Sequence, residues 1–455
     1  MRRVVLGVVL AVTVLVPASA DPSPTPPSAL RHLEAILDRS PAPEYRRAGS
    51  PGMAAVADYE GGALTAAGYQ VVRQDFDLGA SRYAVDYAAG HAPLLERVSD
   101  GHQFKVDSAF GLTRQTGPEG VECTVKAIAE VGPGDCGFVP FATASPEWKN
   151  VSANLAAAAK QITDQGGAGA VVQGDVARNA VMAVTIRQPL PSVVAVATSD
   201  ELLGQRVLLR AMRDTGAPTL AHNVIGVRHG PPGSPYVLLL AHADGWYQAA
   251  ADNGGGAAAV LRAAEVLATQ NPAIGVVAAL VDGEEIGLLG SKQLAATLQS
   301  PGGLALPDGR ALRMGDLAAV INLDASSARA SDAQAPVHQA AGVDAPLFSW
   351  RAMVYSVHAT LPSLFLATFA QHGVLGLPLT SQAAIAVNGS WRTDAGAFHA
   401  AGVPVVWPVA GYPEYHTDAD TLAAVDAADL EAIAAASADL VGRLVNVPRT
   451  PILAP

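Results

Sequence analysis

Positive charge is what this chain has least of. Lys and Arg number 29 against 41 Asp and Glu, and charged residues of both signs fill only 15% of the 455 positions. The formal net charge of −12 argues against nucleic acid or an anionic membrane as partner. Cysteine is nearly absent. Cys123 and Cys136 are the only two, and neither has a neighbouring His or basic cluster that would lower its pKa for catalysis. Long hydrophobic runs are missing as well: the apolar stretch from Val4 to Val16 falls short of the roughly 20 residues that cross a bilayer. No internal repeat is found.

What is present points outward and then to chemistry. Arg2-Arg3, the apolar run and Ala18-Ser19-Ala20 have the n-region, h-region and small-residue cleavage site of a secretory signal peptide over residues 1–20. No Cys follows it, so a lipid anchor is not expected, and the protein is expected to be secreted, extracellular or periplasmic. In an exported chain Cys123 and Cys136 are a candidate disulfide, with two buried thiols as the alternative. Residues 21–28 form a Pro/Ser-rich leader. Half of the residues are hydrophobic, and the length exceeds one ordinary core, so two domains are expected.

The texture of the chain changes twice. Helical spacing of Leu30, Leu33 and Leu37, and of Met53, Val56, Tyr59 and Leu64, precedes a short strand at Tyr69–Phe76. From 92 to 220, short β-like runs surround one Ala-rich helix near Leu155–Thr163. That stretch has a single histidine, His102, and no cluster of carboxylates at ligand spacing, so it is expected to be a β-rich insert without chemistry of its own. Residues 29–91 and 221–447 then make one discontinuous domain. In its second half strands alternate with helices, which implies a mostly parallel mixed sheet in an α/β, three-layer arrangement.

Its apolar runs deliver polar residues at their ends. Tyr236–Leu240 leads to His242 and Asp244, Val276–Val281 to Glu284 and Glu285, Leu317–Leu323 to Asp324, and Val403–Val409 to a loop reaching His416. Asp252 lies in the loop after the first run. Parallel strands present their C-terminal ends along one edge, so these residues converge. Two imidazoles and three carboxylates can hold two borderline divalent ions such as zinc. The charges agree: Asp252, Glu285, Asp324 and a hydroxide between the ions would neutralise two divalent cations, whereas clustered carboxylates alone would repel. Asp244 is placed to orient the His242 ring. The remaining histidines are read as surface or core residues.

The motifs His242-Ala-Asp244, Ala251-Asp252-Asn253-Gly254, Gly283-Glu284-Glu285-x-Gly287-Leu288-x-Gly290-Ser291, Asn322-x-Asp324 and His416-Thr417-x-x-Asp420-Thr421 resemble those of the dizinc exopeptidases that include bacterial leucyl aminopeptidases and aminopeptidase Y. Arg47-Ala-Gly-Ser-Pro-Gly52 and Asn223-Val-Ile-Gly226 look like further landmarks of that family. The resemblance implies two zinc ions per chain bridged by Asp252. It places His242 and Asp324 on one ion, Glu285 and His416 on the other, and makes Glu284 the general base. It implies an aminopeptidase that takes peptides with a free N-terminus through a hydroxide held between the ions. Lys160, Gly166–Val172 and Leu190–Val194 are similar to a protease-associated domain. One motif departs: Thr393-Asp394-Ala395 with Phe398 stands where the family often has Ser-Asp-His, so Asp394 is retained beside the site while a His contact to substrate is missing. A carboxypeptidase or dipeptidase, a glutaminyl cyclase and a non-catalytic receptor on the same scaffold are the alternatives.

Overall fold

A computed structural model describes residues 28–79, 85–109, 114–140, 148–184, 189–214, 216, 220–329, 351–388 and 391–446. The expected signal peptide and nearly all of the leader lie outside them. Helices α1 (Ser28–Asp38) and α2 (Pro51–Ala66) open the described chain. Ser50 caps α2 by accepting from Met53 N–H, and Pro51 stands where no intrahelical donor is needed. Strand β1 (Gln70–Asp77) follows.

The next region forms a sheet of its own. It contains β2 (Leu94–Arg97), β3 (His102–Gln103), β4 (Val106–Ser108), β5 (Val121–Ala127), β6 (Cys136–Val139), α3 (Trp148–Asp164), β7 (Gly169–Gln173), β8 (Ser192–Ala195), α4 (Ser199–Leu202) and β9 (Arg206–Arg210). These eight strands run in the order β3-β2-β9-β5-β6-β7-β8-β4. The β5-β6-β7-β8 stretch is parallel, which a reading of the segment as simply β-rich did not foresee. Cys123 on β5 and Cys136 on β6 form a disulfide inside the core of this sheet.

The chain then builds a second eight-stranded sheet. Its elements are β10 (Leu220–Arg228), β11 (Tyr236–His242), α5 (Gly255–Gln270), β12 (Gly275–Val281), α6 (Leu289–Gln299), the small hairpin β13 (Leu304–Ala305) and β14 (Ala311–Leu312), and β15 (Leu317–Asn322). After these come β16 (Arg351–Tyr355), α7 (Leu361–Gln371), β17 (Leu377–Thr380), α8 (Ser381–Asn388), α9 (Ala395–Ala400), β18 (Val405–Ala410) and α10 (Ala427–Arg443). The strand order is β1-β10-β12-β11-β15-β18-β16-β17. The central strands β12, β11, β15 and β18 run parallel.

Burial on both faces explains the uninterrupted apolar runs. Val237, Leu239 and Ala241 of β11 join Val276, Ala278 and Leu280 of β12 in the core under α1, α5 and α10. Leu238, Leu240, Val277, Ala279 and Val281 point the other way, into the core with Leu294 of α6 and Phe398 of α9. Strands sandwiched in this way need apolar side chains at every position rather than at alternate ones. The result is a three-layer α/β sandwich. Among the described residues no helix is long and apolar enough to cross a membrane.

Candidate metal centre

The four parallel central strands end on one edge, and each end delivers a polar side chain there. His242 is the last residue of β11, Glu284 and Glu285 follow β12, Asp324 follows β15, and His416 lies in the loop after β18. Asp252 comes from the turn between β11 and α5. Gly256, at the start of α5, allows this turn to close against the exit of β15, because a Cβ there would overlap Leu323 O. The Asn253 side chain ties the same two segments, donating to Leu323 O at 2.8 Å and accepting from Gly256 N–H at 3.0 Å.

The two oxygens of Asp252 face two different imidazoles. Oδ1 lies 3.3 Å from His242 Nε2, and Oδ2 lies 3.2 Å from His416 Nε2. Asp324 Oδ1 completes the first group at 3.6 Å from His242 Nε2, and Glu285 Oε2 the second at 3.0 Å from His416 Nε2. Each group of three offers convergent ligand atoms to a metal ion, with Asp252 shared between them. Ligands about 2.0–2.2 Å from one tetrahedral zinc stand about 3.3–3.6 Å from each other, close to the spacing here. Asp252 Oδ2 and Glu285 Oε1 are buried without a hydrogen bond among the described residues. His242 Nδ1 is 3.0 Å from the main-chain oxygen of Asp244, which makes Nδ1 the donor and leaves the Nε2 lone pair toward the carboxylates. The residues therefore fit a pair of cations.

The electrostatics point the same way. Burial disfavours a charged His416, yet Glu285 and Asp252 outweigh it and raise its pKa to about 10. His242 is likewise raised well above its ordinary value against the effect of burial, by Asp244, Asp252 and Asp324. Burial works on Asp252 in the opposite sense, but His242 and His416 keep its pKa low. Positive charge is what this cluster draws in.

Glu284 stands apart from the ligand groups. Burial, together with Glu285, Asp394 and Asp324, raises its pKa well above the ordinary value, with His242 opposing. It is a carboxylate prepared to take up a proton. Asp244 governs how Glu284 and Glu285 diverge: its Oδ1 accepts from Glu284 N–H at 3.0 Å and its Oδ2 from Glu285 N–H at 3.3 Å. The expected contact of the Asp244 carboxylate with the His242 ring is longer, 3.7 Å, because the main-chain oxygen takes the Nδ1 proton instead. Asp394 is buried at the start of α9, and burial raises its pKa to about 7, opposed by His242 and Ser291.

Residues 223–441 match peptidase family M28. The fold of the whole chain is similar to that of the Bacillus subtilis zinc aminopeptidase BSAP, at 16% identity and a TM-score of 0.65 over 94% of this chain and 98% of that one. It is also similar to a peptidase M28 precursor of Shewanella amazonensis SB2B (19% identity, TM-score 0.69, 94% and 96% covered). An aminopeptidase of Aneurinibacillus sp. strain AM-1 is a further neighbour (16%, TM-score 0.56, 94% and 96%). No curated protein matches the chain.

Around this centre stand supports that sequence reasoning missed. Asp420 was visible only as part of a motif. Its carboxylate accepts from Ala251 N–H at 2.9 Å, Asp252 N–H at 3.0 Å and the Tyr412 hydroxyl at 2.8 Å, and so fixes the backbone of the shared ligand. Arg46 is fully buried, donating to Ala243 O at 2.8 Å and to Gln248 O and Ala249 O, along the segment joining His242 to Asp252. Trp407 Nε1 donates to Asp324 O at 2.8 Å, and the Tyr415 ring stacks on His416 with centroids 3.8 Å apart. Nothing in the spacing of these residues announces such roles. The backbone partners of Asp420, Arg46 and Trp407 lie in other segments of the chain.

Proposed function

We propose that the protein is a secreted dizinc aminopeptidase. The observation that carries the proposal is the placement of the two Asp252 oxygens toward two imidazoles, with one further carboxylate completing each group. His242, Asp252 and Asp324 would hold one zinc, and Asp252, Glu285 and His416 the other. The cations supply Lewis acidity, which polarises a scissile carbonyl and makes water a better acid. Glu284 takes the proton of the attacking water and returns it to the leaving amine, a role suited to a carboxylate whose proton affinity has been raised. Asp244 holds the turn so that Glu285 would serve as a ligand while Glu284 is left to act as the base. Residues 29–91 and 221–447 would form the peptidase domain, and 92–220 a protease-associated insert.

The direction of cleavage follows from which charges remain to meet substrate. A carboxypeptidase must bind a free carboxylate, and a buried anion without a cationic partner costs several kcal/mol. Arg46 is committed to three carbonyl oxygens, and Arg47 pairs with Asp107 at 3.1 Å. Arg392 is exposed. The lining favours an α-amine. Hydrolysis of short peptides is expected to require a free N-terminus, to be abolished by N-acetylation and to be indifferent to C-terminal amidation, with two zinc ions counted per chain by atomic emission. Cleavage of N-blocked peptides that needs a free C-terminus would reverse the assignment.

A further inference from the structure

The insert is joined to the metal centre at the loop that carries His416. Just after β7, Met182 forms a β-bridge with Thr417, the residue after the imidazole. Ala183 N–H donates to His416 O at 2.8 Å, and Asp418 N–H donates to Val181 O at 3.1 Å. Val181 N–H in turn reaches Asp418 Oδ1 at 3.0 Å. Lys105, immediately before β4, closes the junction: its Nζ lies 2.6 Å from Asp418 Oδ2 and 2.6 Å from Asn179 O. The ligand loop is thus paired as a short extra strand of the insert.

The backbone of His416 makes that pairing consequential. Its φ is +58°, in the left-handed region that residues with a Cβ hold only when their surroundings fix it. The carbonyl at this residue is the one that accepts from Ala183, so the insert acts on the very peptide whose conformation aims the ring. A second junction braces the opposite flank. Asp107 of β4 pairs with buried Arg47, and Tyr87 OH donates to the same carboxylate at 3.0 Å. Arg47 adjoins Arg46, which holds the His242–Asp252 segment. Insert contacts therefore reach segments next to both groups of ligands, and of these two junctions, among the described residues, the one at the His416 loop is made by insert backbone directly.

We infer that the insert positions His416 through Ala183, Asp418 and Lys105, and thereby sets the affinity of the metal position formed by Asp252, Glu285 and His416. The inference rests on the reading of these three residues as ligands. The position formed by His242, Asp252 and Asp324 does not share this dependence, so the two zinc ions are held unequally when the junction is cut.

Lys105→Met and Asp418→Asn remove the side-chain part of the junction, and Ala183→Pro removes the N–H that holds His416. Zinc per chain is measured on the full-length protein across a graded chelator series, with circular dichroism and the unfolding midpoint as controls of the fold. One zinc should be lost with an affinity about 10–100-fold weaker, the usual effect of removing an outer support of a ligand. The other should titrate as in the wild type, and Lys105→Arg should restore both. If Ala183→Pro does not fold, the two side-chain variants decide. Folded Lys105→Met and Asp418→Asn proteins that keep both ions at unchanged affinity would overturn the bracing role. His416→Ala separates the two levels of the argument. It should lose the same zinc outright, and retention of both ions there would overturn the ligand assignment itself.

Discussion

Replacing Glu284 by Gln keeps the shape of the side chain and removes its capacity to carry a proton. The backbone contact that sets the turn, Glu284 N–H to Asp244 at 3.0 Å, does not involve the side chain and survives. Losing a general base costs about 10²–10⁴-fold in rate, or about 2.7–5.4 kcal/mol of barrier at 1.36 kcal/mol per tenfold. Glu284 belongs to neither ligand group, so an amide there removes no metal ligand and relieves repulsion from Glu285, Asp394 and Asp324. The expected result is kcat lowered by at least about two orders of magnitude, with metal content and unfolding midpoint at or above the wild-type level. Glu285→Gln gives the contrast. It disturbs the 3.0 Å approach to His416 Nε2 and should release one metal. Steady-state kinetics on an aminoacyl-anilide, beside metal analysis of both variants, checks the pair. Near-normal turnover in Glu284→Gln would refute the base assignment, and equal metal loss in both variants would mean that the roles of the two glutamates are confused.

Asp244→Asn turns one acceptor toward a donor, opposite the N–H of either Glu284 or Glu285. A buried N–H left unsatisfied costs about 1–3 kcal/mol; turnover and metal content should fall together, and a variant normal in both would show that Asp244 does not hold the turn. Glu60 is fully buried with neither oxygen hydrogen-bonded among the described residues, and its pKa is raised well above 4.5 by burial, Arg46 opposing and Asp282 adding. The folded protein then binds this proton more tightly than the unfolded chain, so its contribution is complete below pH 4.5 and is lost as pH rises through the folded pKa. Glu60→Gln should raise the unfolding midpoint at pH 8 more than at pH 5, and an equal shift at both would refute the linkage. The paired change Cys123→Ala with Cys136→Ala should destabilise the insert by about 3 kcal/mol in the chain-entropy account of a loop this short. Denaturant unfolding reads that loss, and an unaltered midpoint would contradict it.

The parts of the site that were legible in the sequence are those whose signal is local. Runs such as Val276–Val281 are apolar at every position because the strand is covered on both faces, and the polar residues that follow them stand out for that reason. Parallel topology then converts sequence order into proximity, which is how His242, Glu285, Asp324 and His416 could be gathered without coordinates. Arg46 and Asp420 carry no such mark. Each works by hydrogen bonds to backbone groups of a distant segment, and backbone partners leave no trace in residue type. The attachment of the insert to the His416 loop was illegible for the same reason, since most of its contacts are main-chain pairs between Val181–Ala183 and His416–Asp418. Strand β16 and the edge strand β17 were also unforeseen; Arg351 and Pro378 interrupt the apolar pattern that marked the central strands.

The shortage of charge in the composition finds its counterpart in this site. A chain that spends few charged residues has nonetheless buried Asp244, Asp252, Asp282, Asp324 and Asp394 around one strand edge, with Glu284 and Glu285 between them. Buried carboxylates in such number repel one another and resist ionisation, and among the described residues Arg46 and the two imidazoles offer positive charge from within. Some are quieted locally. Asp420 is raised to about 7 by burial, even though Ala251, Asp252 and Tyr412 all donate to it. Asp282 is raised as well, by burial and by Asp244. Among the described residues the ligand oxygens Asp252 Oδ2 and Glu285 Oε1 have no hydrogen bond. On the function proposed above, a pair of divalent cations would supply what the composition withholds, where the strand ends have collected the anions. On this view the scarcity of Lys and Arg near the site is part of its selectivity: a cationic side chain there would compete with the metals for the carboxylates and would welcome a substrate C-terminus in place of an α-amine.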